Sequence, residues 1–101
     1  MVEQTMKSLN EFKESLKNNQ PPVGVSQLLR ALWWDAKGDW EKAHGIAQDI
    51  STSQAAWVHA YLHRKEGDQG NAGYWYARAG KSRFNGPLEQ EWEKIVGELL
   101  D

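Results

Sequence analysis

The sequence predicts an all-α domain of stacked antiparallel helical hairpins, flanked by one further helix at each end. Three observations predict it. Apolar residues recur at three- and four-residue spacing between zones rich in turn formers, residues 18–24 (NNQPPVG), 51–53 and 81–87 (KSRFNGP). Gly38-Asp39 and Gly67-Asp68 each end one periodic stretch and open the next, as a left-handed closing residue followed by an N-cap requires. Residues 31–39 (ALWWDAKGD) also align without gaps to 60–68 (AYLHRKEGD) at an offset of 29, and Ala43, Ala47 and Ile50 then fall on Ala72, Tyr76 and Ala79.

Each element follows in order. Residues 3–17 place Met6, Leu9, Phe12 and Leu16 on one side, with Glu3/Lys7 and Lys7/Glu11 as i,i+4 pairs on the other, which predicts an amphipathic first helix. Ser26 caps a second helix that ends near Lys37 and carries Leu28, Leu29, Leu32, Trp33 and Ala36 as its stripe. Asp39 caps a third, with Trp40, Ala43, Ala47 and Ile50 inward. A fourth starts at Ser53 and runs through Glu66, and a fifth opens at Asp68 and reaches Gly80 with Ala72, Trp75, Tyr76 and Ala79 inward. Pro87 suits the first position of a sixth, which buries Trp92, Ile95, Val96 and Leu99.

The 101 residues suffice for one domain, 1–101, and one modest core. Twelve basic against 14 acidic residues give a net charge of -2, so no global field draws the chain to nucleic acid or to an anionic membrane. The absence of cysteine excludes a disulfide framework, a thiolate nucleophile and a Cys-based zinc site. Charges throughout the first eighteen residues argue against a leader or anchor, so the expected compartment is the cytoplasm. Six tryptophans concentrate the apolar volume in a few rings, each with one polar N–H to satisfy.

Two helix-turn-helix units with Gly-Asp turns resemble the tetratricopeptide repeat, with Ala31 and Ala60 at the small positions of the first helices and Ala43 and Ala72 at those of the second. The resemblance covers about residues 24–80. The period is shorter than that family's 34 residues, the proline after the second helix is missing, and the basic clamp of its chaperone-binding members has no match. The run 57–81 (WVHAYLHRKEGDQGNAGYWYARAGK) also resembles a family of uncharacterised bacterial proteins. The tetratricopeptide resemblance implies a concave face lined by Leu28, Leu32 and Asp35 from one hairpin and by Trp57, Tyr61 and Arg64 from the next. The last three share one helical face and are of the types enriched at binding hot spots. The competing structural account packs Trp57 and Tyr61 beneath the N-terminal helix and holds Arg64 with Asp35.

The sharpest chemical pattern is His59-x-x-x-His63, two imidazoles one turn apart on a helix. His44 or Glu66 is the available third ligand, but neither is fixed by spacing, and Ala60 stands where a metalloprotease helix needs glutamate. The expectation is therefore no metal and no cofactor. Gly80-Lys81-Ser82 copies the end of a phosphate loop, but Trp75 replaces its first glycine; Gly24-Val25-Ser26 lacks the second glycine and the strand of a nucleophile elbow. Arg64, Lys65, Arg78, Lys81 and Arg83 make the segment locally basic, either as an anion site or as a solvated loop with Arg64 paired to Asp35 or Glu66. Taken together the residues favour a non-enzymatic interaction module that binds a peptide or protein through Leu32, Asp35, Trp57, Tyr61 and Arg64. The alternatives are a small-ligand or enzymatic pocket that uses His59, His63, Arg64 and Tyr61, and a homo-oligomeric subunit.

Overall fold

Each helix but the last begins where a short polar side chain takes over an orphan backbone N–H. In a computed structural model, which describes residues 8–100, Ser8, Ser26, Asp39, Thr52 and Asp68 accept from the amides of Glu11, Leu29, Lys42, Ala55 and Asn71. The elements are α1 (Leu9–Glu14), α2 (Gln27–Ala36), α3 (Trp40–Gln48), α4 (Ser53–Lys65), α5 (Gln69–Ala79) and α6 (Leu88–Leu100), with no strand among the described residues. No helix among them is long and apolar enough to cross a membrane. Pro87 lies just outside α6 and accepts from the amides of Gln90 and Glu91.

The first helix differs from expectation. Ser8 is extended (φ -138°) and caps α1, so a helix starts at Leu9. Met6 and the Glu3/Lys7 and Lys7/Glu11 pairs lie outside the described residues in whole or part. After Glu14 the chain tightens into a 3-10 turn, Ser15–Lys17, where the Ser15 hydroxyl donates to Phe12 O (2.5 Å) and accepts from Trp33 Nε1 (3.1 Å).

The two glycine turns are alike bond for bond. Gly38 (φ +93°) donates to Asp35 O and Asp39 to Trp34 O; Gly67 (φ +88°) donates to Arg64 O and Asp68 to His63 O, all four bonds lying between 2.9 and 3.0 Å. A side chain at either position would be strained by the positive φ, which is why glycine stands at both turns. Across these turns α2 packs on α3 and α4 on α5, with Ala31, Ala43, Ala60 and Ala72 fully buried where the helices approach. Enlarging such a position forces neighbours off their rotamers. Ala43→Leu and Ala72→Leu are each expected to destabilise the domain by about 1–3 kcal/mol, read from urea midpoints; unchanged midpoints would mean that the helices do not cross there.

The sixth helix gathers three others. It packs on α1, α2 and α4, burying Trp92, Ile95 and Val96 as the sequence predicts, with Leu99 half-buried. Trp92 stands 5.9 Å from Phe12, centre to centre, and donates from Nε1 to Leu32 O at 3.0 Å. At the centre of this seam lies Glu91, with no exposed surface at all. Its carboxylate accepts from Arg64 (2.9 Å), Trp57 Nε1 (3.0 Å) and the Tyr76 hydroxyl (2.6 Å). A buried carboxylate is tolerable only when paired and saturated in this way. Glu91→Ala leaves the guanidinium without its counter-charge and should cost about 3–5 kcal/mol, with Glu91→Gln retaining part of that by keeping an acceptor oxygen. Equal stability of both variants and the parent in chemical denaturation would remove Glu91 from this role.

Candidate functional site

The residues expected to line a partner-binding groove are inside the molecule. Leu32, Asp35, Trp57 and Tyr61 are buried, and Arg64, 16% exposed at its side chain, is held by Glu91 and by Gly86 O. The apolar stripe of α6 packs on this side, against α2 and α4. The competing account needs correction in its partners: Trp57 and Arg64 are anchored by Glu91 of the C-terminal helix. Asp35 instead accepts from the Tyr61 hydroxyl and from Lys65, each at 2.8 Å. Burial and the Asp35 carboxylate push the Tyr61 hydroxyl upward, so it stays a proton donor. A cleft of about 270 Å³ remains beside this pair, lined by Leu16, Asp35, Tyr61, Lys65 and Trp92 among others, but its buried polar groups already satisfy one another.

The basic segment is likewise spoken for. Lys65 pairs with Asp35, Lys81 lies 4.2 Å over the Trp57 ring, and Arg83 donates to Gln69. Arg78 lies over the rings of Tyr74 and Trp75.

What the fold does assemble is on the other face of α4. Trp57 and Arg64 reach Glu91 of α6 and Tyr61 reaches Asp35 of α2, while His59 and His63, one turn apart, meet α3 and α5. His44 arrives from α3, so that one nitrogen from each of His44, His59 and His63 lies within 4.8 Å of the others. The third imidazole that sequence spacing could not fix is thus supplied by helix packing. His59 is buried, and His44 and His63 are half-buried. Two indoles wall the cluster: Trp40 stacks on His44 (4.8 Å, 10°) and Trp75 covers His59 at 4.1 Å. Trp40 is itself fixed by donating from Nε1 to Leu62 O at 2.8 Å. Nδ1 of His63 is buried without a hydrogen-bond partner, the one such side-chain atom among the described residues. A second set, His63, Glu66 and Asp68, also brings its ligand atoms within 4.8 Å of one another. A separate cleft of about 260 Å³ reaches His59 from outside between Thr52, Ser53, Trp75 and Arg78.

The electrostatics favour uncharged His59 and His44. Burial, and then the neighbouring His44 and His63, push His59 down to about 4. Burial and His63 lower His44 as well, against a smaller upward pull from Glu66. Sequence reasoning named the His59/His63 pair and listed His44 as a possible third member; it missed Trp40 and Trp75 as walls, because both read as core positions. It missed Glu91 altogether, because a glutamate in an acidic helix reads as solvated.

Because His59 titrates near 4 when folded and near 6.5 when not, the unfolded chain takes up a proton that the folded chain refuses as pH falls. Stability is therefore whole above pH 6.5 and declines between there and about 4, by on the order of 2–3 kcal/mol at the low end. Denaturation of chelator-treated protein across this range checks the window. His59→Gln should flatten that limb; an unchanged acid limb would place the titration elsewhere.

No protein-family model matches the chain, and no match is found among curated proteins or solved structures, so its function has to be read from this cluster.

Proposed function

We propose that this protein is a non-enzymatic binding module whose site is the His44/His59/His63 cluster and takes a small ligand. The observation that carries the reading is the convergence of three imidazoles from two helices, within 4.8 Å, one of which, His63, has a buried Nδ1 with no hydrogen-bond partner. Buried polar groups are nearly always satisfied, and a site built to hold something else is a physical reason for an exception. Binding is favoured over acid-base catalysis because a group held near 4, as His59 is, has no imidazolium proton to give at neutral pH and is a weak base.

In this reading the two helix pairs form a short tetratricopeptide-like array, supported by the matching turns at Gly38 and Gly67. Its concave side serves stability, since Trp57, Tyr61 and Arg64 are committed to Glu91 and Asp35. A peptide could use that side only by displacing α6, which would strip Glu91 of three donors at once.

Residue-resolved NMR separates the two surfaces. On addition of the low-molecular-weight fraction of a native cell extract, the resonances of His44, His59 and His63 are expected to shift while those of Tyr61 and Trp57 stay in place. Shifts confined to the Trp57/Tyr61/Arg64 stripe and α6, and seen only with the macromolecular fraction, would return the function to the peptide groove.

A further inference from the structure

We infer that the ligand of the imidazole cluster is a divalent late transition-metal ion, held by His44, His59 and His63. The inference rests on the binding reading above and names its chemistry. Three nitrogen donors of this kind suit zinc, cobalt, nickel or copper and offer little to magnesium or calcium, which take oxygen ligands.

The geometry is close to what such an ion needs. With metal–nitrogen bonds of about 2.0–2.1 Å, tetrahedral ligand atoms stand about 3.4 Å apart. The three nitrogens here lie within 4.8 Å of one another, so each has to move inward by less than about 1 Å, a change small enough for side-chain torsions alone. His59 and His63 are one turn apart on α4, so the helix holds their spacing. His44 is held by its stack on Trp40, and Trp40 by its bond to Leu62 O.

Two further observations point to an ion. His63 Nδ1 is buried and unpartnered, whereas a structural histidine in a packed core donates or accepts through its buried nitrogen. The acidic side chains of Glu66 and Asp68 come within ligand range of His63, where a carboxylate either orients a ligating imidazole or completes the coordination. The indoles of Trp40 and Trp75 exclude water from the inner side and would report on an ion through their fluorescence. The expectation of no metal rested on the lack of a fixed third ligand, and α3 provides one.

The test uses the full untagged chain, stripped with chelator and titrated with Co²⁺, then with Zn²⁺ in competition. Expected are saturation at one ion per chain with visible absorption of low-coordinate cobalt, displacement by Zn²⁺, and no competition from Mg²⁺ or Ca²⁺. His44→Gln, His59→Gln and His63→Gln should each weaken the affinity by about 100-fold or more while helical content by circular dichroism is kept. His44 is half-buried, so its variant is less exposed to folding failure than that of buried His59 and serves if His59→Gln does not fold. No saturable Co²⁺ or Zn²⁺ binding by the parent chain overturns the inference, as does binding that survives all three substitutions. If metal fails while the low-molecular-weight extract still shifts the three imidazoles, the metal inference is lost and the binding module stands; if both fail, both are lost.

Discussion

Everything about which surface of this protein is available follows from one buried carboxylate. Glu91 has no contact with water and is tolerated because Arg64, Trp57 and Tyr76 reach it from two other helices. An ion desolvated to that degree costs several kcal/mol unless its partners are fixed, so α6 has one favourable seat and little freedom to leave it. The hydrophobic stripe of Trp92, Ile95 and Val96 would seat an amphipathic helix against many apolar surfaces. The carboxylate makes the choice of surface specific.

With α6 seated, α4 is divided between two tasks by its own periodicity. The positions 57, 61 and 64 carry groups that hydrogen-bond inward to Glu91 and Asp35, and they hold the domain together. Positions 59 and 63 fall on another face, against α3 and α5, where no carboxylate reaches His59 and burial and the neighbouring imidazoles keep that ring uncharged. The two faces differ in a way that matters for binding. The first is saturated, each donor having its acceptor, so a ligand there would have to break more than it makes. The second contains a buried nitrogen with nothing to bond. Unsatisfied capacity, rather than the presence of aromatic or charged residues, distinguishes a surface that can gain by binding.

Helices α2 to α6, the caps at Ser26, Asp39 and Asp68 and the paired glycine turns were legible in the sequence because each depends on neighbours a few residues away. Ser26, Asp39 and Asp68 cap helices for the same local reason wherever they occur, and Gly38 and Gly67 close them because the backbone there has positive φ. The burial of Trp92, Ile95 and Val96 was legible as well. Their destination was not, since periodicity tells which side of a helix is apolar and nothing of what it meets. Glu91 was invisible for a related reason: flanked by Glu89 and Glu93, it has the local surroundings of a solvated residue, and only contacts with Trp57, Arg64 and Tyr76, between 15 and 34 residues away, reverse that. The histidine cluster was half legible. Helical spacing joined His59 to His63, whereas His44 joins through the crossing of α3 and α4.

The tryptophans explain how a small domain without cysteine fixes that crossing. Four of them use the indole N–H to bridge separate elements: Trp33 to Ser15, Trp40 to Leu62 O, Trp57 to Glu91, and Trp92 to Leu32 O. A large ring alone would pack in several orientations at similar cost, but a ring with one directed bond at its edge is held in a single one. Trp40 illustrates the consequence for the site. Its bond to Leu62 O ties the start of α3 to the body of α4, and its face then carries His44 at 4.8 Å, turning the imidazole toward His59 and His63. The same residue that locks two helices together therefore places His44 against the His59/His63 pair, so that the stability of the crossing and the geometry of the cluster are one property of the fold.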